Sequence, residues 1–141
     1  ERPVGIQIFG ANLDSMLRSV DIVERTNPDI IDINFGCPVK KVVCKGAGAG
    51  ILKDIDKMEM LTREMAKRTK LPLTVKTRLG WDEKTIKIIE VAERIQDAGA
   101  KAITIHGRTR AQMYKGNADW SLISEVKNNQ RMKIPVFGNG M

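Results

Sequence analysis

Cysteine, histidine and long apolar runs are what this sequence has least of. Its two cysteines, Cys37 and Cys44, lie seven residues apart in one glycine- and lysine-rich stretch, too few for the cross-linked framework of a small secreted domain. His106 is the only histidine, so the soft ligands fall short of the four that a structural zinc site takes, and no metal is expected. No apolar run approaches the ~18 residues of a membrane-spanning helix. No charged-then-apolar leader opens the chain, and a cytoplasmic protein is the default expectation. Positive charge, by contrast, is in excess: 24 Lys and Arg against 17 Asp and Glu give a net +7 and a pI near 9.6. That balance favours a polyanionic partner, although much of the excess lies in mixed-charge helical stretches such as Lys57 to Lys70 and Lys84 to Arg94.

The 141 residues match one ordinary domain with a single core. Glu1-Arg2-Pro3 runs straight into an apolar strand and Gly138-Asn139-Gly140-Met141 stops where a strand has just finished, so the expectation is an internal piece of a larger domain. Periodicity predicts strands over Val4–Phe9, Ile30–Asn34, Pro72–Arg78, Ala102–His106 and Ile134–Phe137, with helices over Leu13–Thr26, Asp56–Thr69, Lys84–Ala98 and Ser121–Asn129. Asn12 and Asp54 read as N-caps and Gly99 as a left-handed C-cap. Strict βα alternation calls for parallel strands with crossover helices, in either an open doubly wound sheet or a (β/α)8 barrel. Strand starts at 4, 30, 72, 102 and 134 are spaced like a barrel repeat. Five strands cannot close an eight-stranded barrel, so the fold expected is α/β, a partial TIM (β/α)8 barrel of about five parallel strands and four helices. Its cut sides would expose strand edges that invite self-association.

Strand parity sorts the polar residues. Ile6 and Ile8 share one face while Gln7 takes the other; Ile31 and Ile33 oppose Asp32 and Asn34; Leu73 and Val75 oppose Thr74, Lys76 and Arg78; Ile103 and Ile105 oppose Thr104 and His106. In a barrel the polar side is the interior near the C-terminal mouth, where active sites of that architecture sit. The plainer alternative is a set of partly wet polar residues at strand ends. An inward lysine needs an anionic neighbour or loses its proton, so Lys76 points to an anion, with Asp32 the one inward carboxylate in view.

Asn34-Phe35-Gly36-Cys37-Pro38 follows the second strand directly. Glycine permits close backbone approach and Pro38 stiffens the turn, an arrangement able to hold a thiol at a barrel mouth, although an isolated cysteine is often only a small buried hydrophobe. Gly46-Ala47-Gly48-Ala49-Gly50 has neither the spacing nor the position of a dinucleotide fingerprint, and lacks the lysine-serine/threonine pair of a P-loop.

Asp32-Ile33-Asn34-Phe35-Gly36-Cys37-Pro38, then Lys40-Lys41-Val42 and Lys45-Gly46-Ala47-Gly48-Ala49-Gly50-Ile51-Leu52, resembles the signature of the tRNA-dihydrouridine synthases, closest to the bacterial B-type branch. Val75 to Trp81, Thr104 to Arg110, Ala118-Asp119-Trp120 and Pro135 to Gly140 extend the resemblance over the whole chain. It implies an FMN enzyme on a (β/α)8 barrel that reduces the C5–C6 bond of uridine in tRNA with NADPH as reductant. Gln7, Lys76, Asn139 and Gly140 would contact FMN, with His106 beside it. Asn34 would help place the uracil and Cys37 would protonate it. Lys40, Lys41, Arg78, Arg108 and Arg110 would contact RNA. The family's first strands, last strand and helical RNA-binding domain have no counterpart here, which implies that this piece alone is inactive. Met141 stands where the family usually has Asp, and Cys44 reads as structural or incidental.

That chemistry suits the residues. Hydride addition at uracil C6 leaves enolate-like charge, and a thiol of ordinary pKa, ~8.5, is largely protonated at neutral pH yet able to release a proton to C5. Two rival readings are another FMN barrel acting on free pyrimidines, for which the basic loop would have no purpose, and a non-catalytic RNA-binding module, for which an inward Lys76 would have none.

Overall fold

The computed structural model describes residues 1–141. Its strands are β1 (Gly5–Ile8), β2 (Ile30–Phe35), β3 (Leu73–Arg78), β4 (Ala102–His106) and β5 (Val136–Asn139), and its helices are α1 (Leu13–Glu24), α2 (Lys40–Val43), α3 (Ile55–Arg68), α4 (Ile88–Asp97) and α5 (Trp120–Asn128). Side-chain acceptors start three helices. Asn12 Oδ1 takes the Ser15 N–H, Asp54 Oδ1 the Lys57 N–H, and Asp119 Oδ1 those of Ser121 and Leu122, each satisfying donors that a first turn leaves unpaired. Gly99 sits just beyond α4 at φ +112°, where a side chain would be strained.

All four strand pairs are parallel, in the spatial order β1-β2-β3-β4-β5. A doubly wound sheet reverses its strand order at a switch point and carries helices on both faces. Here the order never reverses, and α1, α3, α4 and α5 pack in succession on one face of the sheet. That resolves the two fold alternatives in favour of a partial (β/α)8 barrel. The aliphatic parity positions supply the core: Ile31, Ile33, Leu73, Val75, Ile103 and Ile105 are all at most 1% exposed and pack with Met16, Val20, Met58, Leu61, Met65, Val91, Ile95 and Val126. Burying each such side chain contributes about 1.5–3 kcal/mol. Ion pairs lace the outer helix surfaces, with Arg94 joining α4 to Asp56 and Glu59 of α3, and Arg68 of α3 joining Asp21 of α1.

Three stretches depart from the periodicity, one of them β5, which runs over Val136–Asn139 rather than Ile134–Phe137. The segment between β2 and α3 folds into the single-turn helix α2 and a 3-10 turn over Gly48–Lys53. Helix α4 begins at Ile88 rather than Lys84, because Asp82 and Thr85 close a 3-10 turn: Asp82 N–H donates to Thr85 Oγ1 at 3.1 Å, and Thr85 Oγ1 donates to Asp82 Oδ1 at 2.9 Å. No helix is long and apolar enough to cross a membrane.

Candidate active site

Strand register stacks the inward residues in rows. Gln7, Asp32 and Thr74 pair across β1, β2 and β3; Asn34, Lys76 and Thr104 form the next row; Arg78, His106 and Asn139 form the row at the C-terminal mouth. Above them opens a cavity of about 360 Å³. Cys37, Lys76 and His106 all line it, from the β2 loop, β3 and β4 respectively.

The thiol loop is held from below and behind. Asn34 Oδ1 accepts the backbone N–H groups of Gly36 at 3.0 Å and Cys37 at 2.9 Å, the local bonding by which an asparagine side chain shapes a turn. The Asn34 amide donates to Gln7 Oε1 at 2.9 Å, the Gln7 amide donates to Asp32, and Thr74 Oγ1 donates to the other Asp32 oxygen at 2.6 Å. Ala49 N–H donates to the Cys37 carbonyl at 2.9 Å. Gly48 approaches so closely that a Cβ there would lie 2.8 Å from that same oxygen, at φ +54°, so the glycine run serves packing against the thiol loop.

The cavity is rich in cations that no carboxylate neutralises. Lys76 Nζ donates to Asn139 Oδ1 at 3.0 Å, while Asp32, the one inward carboxylate in view for it, is taken up by Gln7 and Thr74. Burial, reinforced by Arg78, pulls the Lys76 pKa below the usual lysine value, with Asp32 acting in the opposite sense. His106 is 8% exposed, and burial together with Arg78, Lys76 and Arg108 lowers its pKa to about 4. The ring is therefore neutral at pH 7. Since a guanidinium only donates, the 3.1 Å contact between Arg108 and His106 Nε2 makes that nitrogen the acceptor and puts the ring proton on Nδ1.

Not all residues expected to contact RNA lie where phosphates can reach. Arg78 is 2% exposed; its guanidinium donates to the carbonyls of Gly36, Thr109 and Met113 at 2.8, 3.1 and 2.7 Å, tying the thiol loop to the loop after β4. Arg78 still borders the cavity. Arg108, at 7%, is held by His106 and the carbonyls of Gly116 and Met141. Neither guanidinium is exposed at the surface, because each satisfies buried carbonyls. Arg110 lies over the Trp81 ring at 4.7 Å, with Lys53 3.9 Å from the same ring. Lys40 and Lys41 are exposed on α2. Asn139 lines the cavity, and Gly140, at φ +111°, lies so near His106 that a Cβ would sit 3.0 Å from its ring. Sequence reasoning missed Tyr114, which lines the cavity from the loop after β4, with its ring 6.4 Å from His106 and 5.5 Å from the Arg78 guanidinium. It is the chain's single tyrosine, the one signal that could have marked it.

A singly wound parallel sheet with a thiol loop over an inward lysine and a neutral histidine defines an α/β-barrel site. The model of the family described as dihydrouridine synthase (Dus) matches residues 1–141, and the chain belongs to that family. It is 44% identical over 140 residues to the probable tRNA-dihydrouridine synthase 1 of Synechocystis sp. (strain ATCC 27184 / PCC 6803 / Kazusa), covering 99% of this chain and 39% of that protein. To the tRNA-dihydrouridine synthase B of Pasteurella multocida (strain Pm70) it is 38% identical over 135 residues, 96% of this chain and 40% of the relative. The chain thus spans about two fifths of the length of these curated relatives. Among solved structures it is similar to YagE of E. coli K12, a prophage protein of the dihydrodipicolinic acid synthase family crystallised with pyruvate, with a TM-score of 0.61 at 15% identity over 90% of this chain and 38% of that one. That likeness is one of fold.

Proposed function

We propose that the full-length protein reduces uridine to 5,6-dihydrouridine in tRNA, with FMN held at this cavity, NADPH as reductant and Cys37 as proton donor. The observation that carries the reading is the joint lining of one cavity by the Cys37 thiol and by Lys76, a half-buried ammonium without a carboxylate partner. An anionic ligand fits that imbalance, since a desolvated cation gains most from an opposite charge. Lys76 and Asn139, with Gln7, His106 and Gly140, would hold the cofactor, which when bound supplies the hydride.

The chain's own groups then have definite tasks. Asn34 places the uracil through the amide hydrogen not used by Gln7. A uracil that has gained hydride at C6 carries enolate-like charge, which Lys76 stabilises as a fixed nearby cation. The Cys37 Sγ–H gives its proton to C5, completing the saturated ring. Neutral His106 offers its Nδ1–H without adding a fourth full charge beside Lys76, Arg78 and Arg108. A uridine folded into tRNA must leave its stack to reach the cavity, at about a few kcal/mol; phosphate contacts from the basic side chains Lys40, Lys41 and Arg110 would offset this.

Cys37→Ala in the full-length protein tests the reading. It is expected to bind FMN and tRNA as the parent does while forming no dihydrouridine in unmodified tRNA. Turnover at the parent rate removes Cys37 from the mechanism.

A further inference from the structure

Asp32 does not border the cavity, yet a continuous chain of hydrogen bonds runs from it to the cysteine. Gly36 and Cys37 N–H donate to Asn34 Oδ1, Asn34 Nδ2 donates to Gln7 Oε1, and Gln7 Nε2 donates to Asp32 Oδ2. Every link points the same way. Backbone N–H groups can only donate and a carboxylate can only accept, so the two ends fix the orientation of both amides between them. Thr74 occupies the second Asp32 oxygen at 2.6 Å, which keeps the carboxylate from turning away. Chains of this kind strengthen each link by polarising the next.

We infer that Asp32 is a positioning residue for Cys37, acting through Gln7 and Asn34 as the terminal acceptor of a one-directional amide relay. Its charge holds Gln7 Nε2 toward β2, which presents Gln7 Oε1 to Asn34 and leaves Asn34 Oδ1 for the thiol loop. A consequence concerns ligand choice and rests on the reading of the previous subsection. With Oδ1 spent on two backbone donors, Asn34 offers the cavity an N–H rather than a lone pair. A ring carbonyl, as in uracil, is accepted there, and an exocyclic amino group is not.

Relay direction makes a prediction that ordinary packing does not. Gln7→Glu sets two carboxylates against each other and breaks the chain. Adding Asp32→Asn to it repairs every link: the introduced amide donates to the introduced carboxylate and still accepts from Thr74, while that carboxylate accepts from Asn34 as the Gln7 carbonyl did. Hydrogen exchange of the Gly36 and Cys37 amides in the full-length protein reads the effect without substrate, so its failure is separable from failure of the proposed reaction. Gln7→Glu is expected to speed that exchange about ten-fold or more, roughly the worth of one charge-assisted hydrogen bond. The double variant is expected to return to within about three-fold of the parent. Exchange unchanged in Gln7→Glu overturns the inference, as does a double variant no slower than Gln7→Glu. An acceleration shared equally by the α4 amides overturns it too, since that reports general loosening.

Discussion

Lys76 Nζ donates to Asn139 Oδ1 at 3.0 Å, reaching past β4 from β3 to β5. The amide satisfies one of the ammonium's three hydrogens and none of its charge. Asp32, the one inward carboxylate that strand parity offers, is bound to Gln7 and Thr74. The site therefore carries a standing electrostatic cost that an anionic ligand would relieve.

Lys76→Met in the full-length protein is expected to weaken FMN binding at least ten-fold, read by flavin fluorescence titration. The ligand-free variant should melt no lower than the parent, because the change removes a half-buried cation with no carboxylate partner rather than an ion pair. Unchanged FMN affinity would remove Lys76 from the cofactor site.

His106 sets an acid limit. Its pKa falls from 6.5 in the unfolded chain to about 4 in the fold, so between those values the unfolded state binds more protons. Stability from this residue is then fully present above pH 6.5, declines as the pH drops toward about 4, and is level below. The decline amounts to at most about 3 kcal/mol. Urea unfolding of His106→Asn should show a shallower loss of stability across pH 6.5 to 4 than the parent; an identical slope contradicts the assignment.

Arg78 links two loops through three backbone carbonyls. Arg78→Met leaves those acceptors without their donors and is expected to cost about 3 kcal/mol, seen as a lower urea midpoint. Arg78→Lys should recover less than half of that, since one ammonium cannot span both loops as the planar fork does. A midpoint unmoved by either change would show that the guanidinium is not a clamp.

Much of this was legible in the residues themselves. Period-two alternation placed Gln7, Asn34, Lys76 and His106 on one side of the sheet because strand geometry alone determines parity. Asn12, Asp54 and Gly99 announced their helix ends for equally local reasons. Partners were not legible. That Lys76 meets Asn139, 63 residues away, depends on register summed over three strands, and that Asp32 answers Gln7 depends on the stagger of two more. Parity turned Arg78 inward, but the burial of Arg78 and Arg108 follows from carbonyls, chiefly in the loop after β4, that no periodicity reveals. Tyr114 reaches the cavity from that same irregular loop.

The activity proposed for the full-length protein is the reduction of a uridine in tRNA. Mass spectrometry of nucleosides in tRNA from cells lacking the full-length gene measures it most directly. Loss of dihydrouridine from a defined tRNA position, restored by the parent gene and not by the Cys37→Ala form, is the predicted result. An unchanged dihydrouridine content at every position in tRNA, with no other gene of this family to compensate, would contradict it.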